Sequence, residues 1–460
     1  MIFRDWLKEL DYTLLQGSVD VETEDVIYDS RKAAPGKVFV AMKGIRVDGH
    51  SFIPQVLKAG VRVLVTERPV EEELKNSGLS EDELKQVTVV MVEEGRHALA
   101  LLSAARFDHP AKKLVMIGVT GTKGKTTTTH MIRAILLAAG KKVGMIGTTG
   151  TVIGDVVTPT LNTTPESYEL HQAFAQMVEA GCEYAVMEVS SQGIKMHRTD
   201  GLYFNYAIFT NISPDHIGPG EHADFEEYLY YKTRLLNMCG IGLVNKDDEH
   251  APQIIKAANC ELYTYSEESK EADFVASDIR YVSQPDFVGT EFHISGKYDM
   301  EVRLGIVYTS ERCTVLVDYA HNAVSMESLL STLRDYKPKR LVCVFGCGGN
   351  RSKDRRYSMG EIGGKMADLS IITADNSRYE KVEDIIADIR GSIEKTGGKF
   401  IEIPDRREAI RYSILHAQPG DMVAVIGKGH EDYQEINGVR HHFLDREVIE
   451  ETVKELGEKA

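Results

Sequence analysis

Long apolar runs are missing from this sequence. No stretch approaches the roughly 20 apolar residues that a helix needs to cross a bilayer, so we expect no membrane insertion. The opening residues, MIFRDWLKEL, include Asp5 and Glu9, whereas the core of a signal peptide is uniformly apolar. We therefore expect a cytoplasmic protein.

Cysteine is also scarce, with six residues scattered along a chain of 460. Cys343 and Cys347 are the closest pair, and no second pair accompanies them to complete a zinc site. We interpret the cysteines as reduced thiols of cores or loops, which is the usual state in the cytoplasm.

Positive charge is in deficit. The chain has 54 basic and 70 acidic residues and a formal net charge of −16, so its surface should repel nucleic acid. Low-complexity segments and repeats of fixed period are absent as well. An apolar fraction of 42% is enough for several buried cores, and the length predicts about three domains.

Residues 115–131, VMIGVTGTKGKTTTTHM, are the most informative stretch that is present. Apolar residues predict a buried strand, a glycine-rich turn follows, and a helix opens directly after it. Backbone N–H groups in such a turn can enclose phosphate, a lysine can reach the outer phosphates, and a threonine can bind Mg²⁺. The candidate residues for ATP are Gly121, Thr122, Lys123, Gly124, Lys125, Thr126 and Thr127.

An ordinary glycine turn is the alternative for this stretch. The usual phosphate-loop spacing would place a glycine at Val119, so the loop is a shortened variant. Lys-Thr directly after a glycine, at the start of a helix, favours a nucleoside triphosphate site.

Alternating strand and helix patterns divide the chain into three α/β units, residues 1–109, 110–307 and 308–460. The predicted strands are 37–44, 61–67, 88–94, 143–149, 182–191, 206–213, 313–321, 340–350, 369–375 and 421–429. The predicted helices include 52–59, 96–107, one from the phosphate loop to Gly140, and 382–393. Residues 240–307 show shorter alternating segments and no clear helix. The turn GCGGNR lacks dinucleotide-binding spacing.

Polar residues follow several predicted strands, where open α/β sheets bind ligands. In the second unit these are Glu188 and His216, which could hold Mg²⁺, and Lys232 lies in a tyrosine-rich helix. The alternatives are a solvated glutamate and a lysine on an amphipathic face. In the third unit, arginines and carboxylates suit a ligand with several charges, although surface ion pairs would give the same pattern.

Taken in order, the motifs resemble those of the Mur ligases. They are DSR (29–31), TGTKGKTT (120–127), NTTPE (162–166), MEVSS (187–191), FTNISPDH (209–216), YLYYKTRLL (228–236), VDYAHN (317–322), FGCGGNR (345–351), DNSR (375–378) and GKGHEDYQ (427–434). The match is tightest to the members that add the third residue of the peptidoglycan stem peptide.

The resemblance implies a three-domain α/β fold: a small UDP-binding domain, a central P-loop ATPase domain with a mostly parallel sheet, and a Rossmann-like C-terminal domain. It assigns Ser30, Arg31, Thr163, Thr164, Ser190 and Arg198 to the UDP-substrate. It places Asp318 and His321 near ATP, and Arg351, Asp375, Asn376, Arg378, Gly427 and Glu431 around the incoming amino acid. The implied catalytic residues are Lys125, Glu188, His216 and Lys232. The implied metal ligands are Thr126, Glu188, His216 and Lys232 as a carbamate.

The implied reaction is the ATP- and Mg²⁺-dependent addition of an amino acid to UDP-MurNAc-L-Ala-D-Glu through an acyl phosphate, by a monomer. Relatives that use meso-diaminopimelate commonly carry DNPR, and this chain has DNSR, which keeps Asn376 and Arg378. A retained arginine would lack a partner beside L-lysine. We therefore favour meso-diaminopimelate over L-lysine.

Two departures from the family are visible. Gln192 stands where many relatives have histidine. A segment resembling G-R-x-N-x-x-N and an alanine-rich helical region are absent near residue 307, which shortens the central domain by roughly 50 residues against the usual domain size and predicts an uncovered sheet face. A binding-only member, a folylpolyglutamate-type ligase and a P-loop motor or switch ATPase are the alternatives.

Overall fold

The computed structural model describes residues 1–44, 47–154, 156–215, 217–218, 221–284, 287–305, 308–309, 313–318, 320, 322–429, 431 and 433–456. The chain forms two compact units, Met1–Val275 and Ala276–Ala460. Among the described residues, no helix is long and apolar enough to cross a membrane.

The first unit contains two sheets and the helices that cover them. Its strands are β1 Thr13–Gln16, β2 Asp25–Ile27, β3 Lys37–Val40, β4 Val63–Thr66, β5 Thr88–Met91, β6 Val115–Thr120, β7 Val143–Gly147, β8 Gly150–Ile153, β9 Val156–Thr158, β10 Tyr184–Glu188, β11 Phe204–Phe209, β12 Cys239–Asn245, β13 Glu261–Ser266 and the start of β14 Phe274–Gln284. Its α-helices are α1 Phe3–Trp6, α2 Ile53–Lys58, α3 Glu71–Lys75, α4 Glu81–Leu84, α5 Gly95–Arg106, α6 Lys125–Ala138, α7 Ser167–Glu179, α8 Ser191–Lys195, α9 Phe225–Thr233 and α10 Ala251–Ala257. Short 3₁₀ turns lie at Ser30–Lys32, Gly49–Phe52, Pro110–Lys113 and Arg234–Asn237.

The second unit contains the remainder of β14 and β15 Phe287–Gly296, β16 Met300–Gly305, β17 Tyr308–Thr309, β18 Cys313–Asp318, β19 Arg340–Phe345, β20 Leu369–Ile372, β21 Phe400–Glu402, β22 Asp421–Ile426, β23 Tyr433–Ile436 and β24 Val439–His442. Its helices are α11 Ala323–Asp335, α12 Lys353–Met366, α13 Val382–Thr396, α14 Arg406–Leu415 and α15 Asp445–Glu455. These bounds follow the predicted α/β alternation.

The first sheet has the order β1-β5-β4-β3-β2, with parallel pairs between β2, β3, β4 and β5. Helix α5 covers it because residues 98–105 are almost all small or apolar and buried. The Glu94 side chain accepts the Arg96 N–H and caps the helix start. The chain leaves the helix through His109, which has φ +48°, before Pro110.

The central sheet places β6 between β10 and β11, and all three strands run parallel. Their carboxyl ends therefore meet at one edge, where Thr120, Glu188 and Phe209 end the strands. Strand β6 is buried on both faces, and Gly118 leaves room there for the ring of Phe204. The edge beside the phosphate loop is thus a ligand-binding position.

The face of this sheet that helix α6 covers has a small core. Ile117, Val143 and Val186 are buried there, and Ile208 is only partly covered. The neighbouring Tyr206 is 41% exposed. The face packed by α7 and α9 carries a far larger apolar cluster.

The second unit has a sheet in the order β17-β18-β22-β19-β20-β21, parallel except for the β17–β18 pair. Apolar clusters cover both faces. A hairpin of β23 and β24 follows the last parallel strand.

The prediction of no clear helix in residues 240–307 is wrong, because α10 lies there. The helix is short and its buried positions are few, Ala251 and Ile254, so its apolar pattern is weak. Strands β15 and β16 pair antiparallel over the later part of this region.

Candidate functional site

The phosphate loop joins β6 to α6 through two glycines in the left-handed region. Gly121 has φ +145° and Gly124 has φ +83°, which are conformations that other residues rarely adopt. A Cβ at Gly121 would lie 2.0 Å from the Thr210 hydroxyl oxygen, so the loop approaches its neighbour too closely for a side chain. The glycines at these positions therefore have a structural reason.

The segment after β11 holds the loop in shape. The Thr122 N–H donates to the Asn211 carbonyl at 2.9 Å, and the Lys123 N–H donates to Asn211 Oδ1 at 2.9 Å. Thr210 Oγ1 donates to the Lys123 carbonyl at 2.7 Å. These bonds fix the loop backbone before any ligand arrives, which lowers the entropy cost of binding.

Two lysines converge on one backbone oxygen of the loop. Lys125 Nζ donates to the Gly121 carbonyl at 2.9 Å, and Lys232 Nζ donates to the same carbonyl at 2.7 Å. Burial lowers the pKa of Lys125, and Glu188 and Asp215 partly oppose that shift. Burial also holds the pKa of Lys232 well below its ordinary value, and the charge of Lys125 lowers it further. The two ammonium groups thus share one neutral acceptor, and nearby carboxylates, Glu188 for Lys125 and Asp215 for both lysines, oppose the lowering of their pKa values only in part.

Glu188 ends β10 next to these two lysines and is 1% exposed. Thr126 Oγ1 donates to its carboxylate at 3.0 Å, and the Thr148 N–H donates to it at 2.9 Å. Gly147 gives the carboxylate room, because a Cβ there would lie 2.3 Å from Glu188 Oε1. The solvated surface glutamate considered above is therefore not what the structure shows.

A second cluster lies behind Glu188. Thr164 Oγ1 donates to the Glu188 carbonyl at 3.0 Å and accepts the Ser190 N–H at 3.0 Å. Arg198 Nη1 donates to the Thr164 carbonyl at 3.0 Å, and its Nη2 lies 2.6 Å from Glu166. Thr163 contacts this group through the Thr148 hydroxyl at 3.1 Å. The structure thus brings Thr163, Thr164, Ser190 and Arg198 together.

Two cavities open near these residues in the first unit. One, of about 210 Å³, is lined by Asp25, Val26, Ile27, Tyr28, Lys32, Lys37 and Tyr168. The other, of about 280 Å³, is lined by residues that include Tyr28, Asn162, Pro165 and Glu166. Ser30 begins the 3₁₀ turn just after Tyr28, while the Arg31 side chain is exposed and pairs with Asp29 at 2.7 Å.

The residues of the second unit that were predicted to bind the incoming amino acid also lie close together. Asn376 Nδ2 donates to the Glu431 carboxylate at 2.8 Å. Arg378 Nη1 donates to the Gly349 carbonyl at 2.8 Å, and its Nε lies 3.4 Å from Glu435. A Cβ on Gly427 would lie 3.5 Å from Asp375 Oδ2, so these two also adjoin.

A buried ion pair lies next to these residues. Arg406 and Asp445 are both 0% exposed and lie 2.7 Å apart. Arg406 also donates to the carbonyls of Ala374 and Ile426, at 3.3 and 3.1 Å. Those carbonyls immediately precede Asp375 and Gly427, so the guanidinium holds the segment after β20 and the end of β22 in place.

The remaining predicted residues are more separate. Asp318 ends β18, accepts the Ala320 N–H at 2.7 Å, and has a pKa raised by burial. Arg351 and Thr127 are exposed. His216 and His321 lie outside the described residues.

Sequence reasoning missed several residues that shape these sites. Each of them contacts a residue that was predicted. The Thr148 N–H donates to Glu188, and Asn211 Oδ1 accepts the Lys123 N–H. The Tyr228 hydroxyl lies 3.2 Å from Thr122 Oγ1, and Lys428 Nζ donates to Glu431. Lys428 lies inside the GKGHE motif, which could have marked it. Asn211 lies inside the FTNISPDH motif and Tyr228 begins YLYYKTRLL, so those motifs could have marked them. Thr148 is a short polar residue after a strand, and nothing in the sequence alone distinguishes it from an ordinary turn.

The β6 edge and its loop define a P-loop protein built to bind a nucleoside triphosphate. Three family descriptions match consecutive parts of the chain: "Mur ligase family, catalytic domain" at residues 23–107, "Mur ligase middle domain" at 119–306, and "Mur ligase, glutamate ligase domain" at 302–429. Curated relatives extend the match to the whole chain. The chain belongs to the Mur ligase family.

Among those relatives is the UDP-N-acetylmuramoyl-L-alanyl-D-glutamate–2,6-diaminopimelate ligase of Clostridium tetani. It is 36% identical over 497 aligned residues that cover 99% of this chain and 100% of the relative. The enzyme of the same name from Geobacillus thermodenitrificans is 35% identical over 475 residues, covering 93% of this chain and 94% of the relative. The first alignment is longer than this chain, so the relative has residues that this chain lacks.

Solved structures agree on the fold. A UDP-N-acetylmuramoyl-L-alanyl-D-glutamate–2,6-diaminopimelate ligase matches with a TM-score of 0.68 and 28% identity, over 95% of this chain and 96% of that one. The MurF ligase of Thermotoga maritima, solved with ADP, matches with a TM-score of 0.53 and 17% identity over 95% and 98%. A folylpolyglutamate synthase from Mycobacterium tuberculosis covers only 73% of this chain, at a TM-score of 0.50.

Proposed function

We propose that this chain joins meso-diaminopimelate to the D-glutamyl residue of UDP-MurNAc-L-Ala-D-Glu at the expense of ATP. The observation that carries the proposal is the cluster of Lys125, Lys232, Thr126 and Glu188 around the phosphate loop. The curated relatives bear the name of this activity over nearly the full chain. The alternative of a folylpolyglutamate-type ligase fits less of the chain.

The loop and its lysines suit the first chemical step. The γ-carboxylate of the D-glutamyl residue attacks the γ-phosphorus of ATP, the bond to the β-phosphate oxygen breaks, and ADP leaves with that electron pair. Lys125 and the loop N–H groups stabilise the negative charge on the transferred phosphoryl oxygens. Both lysines now share a neutral carbonyl oxygen, so triphosphate oxygens would add negative charge beside them.

The second step consumes the acyl phosphate. The neutral amino group of the incoming amino acid attacks the acyl carbon, and the bond from that carbon to the phosphate oxygen breaks. Inorganic phosphate leaves with that electron pair, the nitrogen releases one proton to phosphate or solvent, and an amide bond remains. Asp375, Asn376 and Glu431 offer oxygen atoms that can accept hydrogen bonds from that amino group and orient it. Arg378 offers a guanidinium for a carboxylate.

The oxygen atoms near the loop fit Mg²⁺, which prefers carboxylate and hydroxyl oxygens. Thr126 Oγ1 and the buried Glu188 carboxylate already adjoin at 3.0 Å. When bound, Mg²⁺ would neutralise charge on the phosphates. His216, together with Lys232 as a carbamate, completes the proposed ligand set.

Lys232 as an ammonium does not fit a metal site, and we assign it a carbamate. Its lowered pKa leaves a larger share of neutral amine, which can add to the carbon of CO₂ and release one proton. The product is an anion beside Lys125, so the modification would convert a repelling pair of cations into an ion pair. Burial at 2% exposure would protect it from water.

The cluster behind Glu188 supports a role in holding the UDP-substrate. Arg198 is fixed by Glu166 and by the Thr164 carbonyl, so its guanidinium needs little reorganisation to meet a phosphate. Ser30 and Arg31 follow closely after Tyr28, which lines both cavities, and we assign them to the UDP-substrate. Asp318 and His321 are assigned to the nucleotide. We keep the three domains at 1–109, 110–307 and 308–460, and a monomeric cytoplasmic enzyme, as part of this proposal.

The specificity for meso-diaminopimelate rests on Arg378. Its Nη1 is held by the Gly349 carbonyl, and Glu435 balances its charge only at 3.4 Å. A distal carboxylate would therefore gain a charge-assisted, bidentate pair, which L-lysine cannot form.

Phosphate release from ATP tests the proposal. Purified protein is given Mg²⁺ and UDP-MurNAc-L-Ala-D-Glu, and then meso-diaminopimelate or L-lysine. Release that depends on diaminopimelate, together with a UDP-tripeptide product, is the expected result. Release with L-lysine alone would keep the ligase and reject the role of Arg378. No release with either, despite binding of the UDP-substrate, would favour the binding-only alternative.

A further inference from the structure

Two histidines and an aspartate converge on the first unit, away from the phosphate loop. His97 lies near the start of α5, and His197 and Asp200 lie just after α8. His97 Nδ1 lies 2.7 Å from Asp200 Oδ2, and His197 Nδ1 lies 2.8 Å from the same oxygen. All three side chains offer their ligand atoms within 4.8 Å of one another.

The backbone of His197 has an uncommon conformation. His197 has φ +55°, in the left-handed region that disfavours residues with a Cβ. Its N–H donates to the Ile194 carbonyl at 3.0 Å, so the turn is fixed by the end of α8. Residues with strained backbone conformations are often found at active sites and ligand-binding sites, where the position of the side chain compensates for the strain.

We propose that His97, His197 and Asp200 form a binding site for a divalent transition-metal ion. Two imidazoles and one carboxylate are a recognised donor set for such ions, with further positions left for water. Two ligand atoms at about 2.1 Å from a metal and at right angles are about 3.0 Å apart. The observed separations of 2.7 and 2.8 Å require only a small outward movement of each ring.

Access and charge also suit an ion. The side chains of His97, His197 and Asp200 are 44%, 40% and 23% exposed, so a hydrated ion can reach them. Glu94 adds negative charge nearby, and Arg234 opposes it. An imidazole nitrogen must release its proton to bind metal, so the affinity should fall as the pH falls below neutrality.

The site would link two sequence-distant segments that also meet at a salt bridge. Arg96 and Arg198 are the chain neighbours of His97 and His197, and both lie near the Glu166 carboxylate, at 3.4 and 2.6 Å. Metal binding would therefore fix α5 to the turn that carries Arg198. This inference does not depend on the proposed ligase activity.

Cobalt and zinc titrations test the site with the full chain, free of any histidine tag. Metal-free protein is titrated with Co²⁺ by visible absorption and with Zn²⁺ by calorimetry, in excess Mg²⁺ to fill oxygen-rich sites. We expect one equivalent of bound metal, with an affinity weakened more than about 10-fold in His97→Gln and in Asp200→Asn. Glu188→Gln should keep that equivalent, which separates it from the phosphate-loop site.

The matched control is His416→Gln, because His416 is an exposed histidine of the second unit whose ring nitrogen lies 3.0 Å from the Tyr412 carbonyl. Circular dichroism without metal shows whether each variant is folded, and two variants from different segments guard against a single misfolded one. No binding by the parent protein, or equal binding by the parent, His97→Gln and Asp200→Asn, would overturn the proposal.

Discussion

Lys232 of the first unit and Lys428 of the second are both almost completely buried, at 2% and 0% exposure, yet their surroundings differ. Lys428 Nζ lies 3.2 Å from the Glu431 carboxylate, bonds the Tyr433 carbonyl, and lies 3.5 Å from Asn376 Oδ1. Lys232 Nζ donates to the Gly121 carbonyl and lies 4.7 Å from the centre of the Tyr228 ring. Its charged neighbours are Lys125, which lowers its pKa, and Asp215, which raises it by less.

The difference shows two uses of a buried cation. A buried charge is costly unless it is paired, so a lysine with a carboxylate can serve a purely structural purpose. A lysine that instead shares an acceptor with a second lysine destabilises the free protein, and that cost makes sense where anions are to be bound. We therefore interpret Lys428 as a residue that positions its neighbours and Lys232 as a residue that takes part in the reaction.

Lys232→Ala is the strongest test of this contrast. We expect ligation to fall by at least about 100- to 1000-fold, the usual cost of losing one stabiliser of transition-state charge. Added bicarbonate should not restore it, because the variant has no amine to carbamylate. The measurement is UDP-tripeptide formation at saturating ATP.

Lys256→Ala is the matched control, since Lys256 is exposed on α10 of the same unit. It should leave the ligation rate unchanged. Full ligation by Lys232→Ala would remove the carbamate role and place Lys232 with Lys428 as a structural lysine.

Lys428→Met should weaken the amino-acid pocket without touching ATP. Removing the ammonium leaves Glu431 and the Tyr433 carbonyl without that donor, and a lost charged hydrogen bond costs about 1.5–3 kcal/mol. We expect the KM for meso-diaminopimelate to rise about 10- to 100-fold, with the KM for ATP unchanged. Equal changes in both constants would indicate general unfolding instead of positioning.

The two lysines also show how far sequence reasoning reaches. The phosphate loop and the strand that precedes it were predictable because the glycines, Lys125 and the apolar run are contiguous. Lys232 could be assigned a role only through family resemblance, since its contact with Gly121 joins residues far apart in the chain. Lys428 lay in a recognised motif, but its partners on the β23 hairpin depend on tertiary packing. Helix α10 was not predicted because it buries few residues, so its apolar pattern is weak.

Buried His171 extends the comparison to a group that stays neutral. Neither ring nitrogen has a hydrogen-bond partner among the described residues, and burial lowers its pKa from 6.5 to about 3. Below pH 6.5 the unfolded chain binds a proton that the folded chain does not, so the free energy of unfolding falls on acidification. The loss is about 1.7 kcal/mol between pH 6.5 and 5, because the unfolded histidine is only half protonated at pH 6.5 and the slope reaches about 1.4 kcal/mol per pH unit only at lower pH.

His171→Leu should remove that loss, and urea unfolding of parent and variant at both pH values measures it. His416→Leu changes an exposed histidine and should keep the parental pH dependence. An equal loss of stability in His171→Leu and the parent protein would show that His171 is not the group responsible.

Arg378→Lys should have the smallest effect of these substitutions, and it tests a single contact of the proposed amino-acid pocket in the second unit. Arg378 shares the pocket with Lys428 but is only partly buried, at 23% exposure, and its Nη1 already donates to the Gly349 carbonyl at 2.8 Å. Lysine keeps the charge and loses the planar fork that pairs bidentately with a carboxylate. We expect the KM for meso-diaminopimelate to rise about 10-fold, which corresponds to about 1.4 kcal/mol, while any turnover of L-lysine is not reduced. Arg390→Lys on α13 alters an arginine whose side chain is 42% exposed and pairs with Glu402, and it should change neither value. An unchanged KM in Arg378→Lys would mean that the distal carboxylate is recognised by another residue.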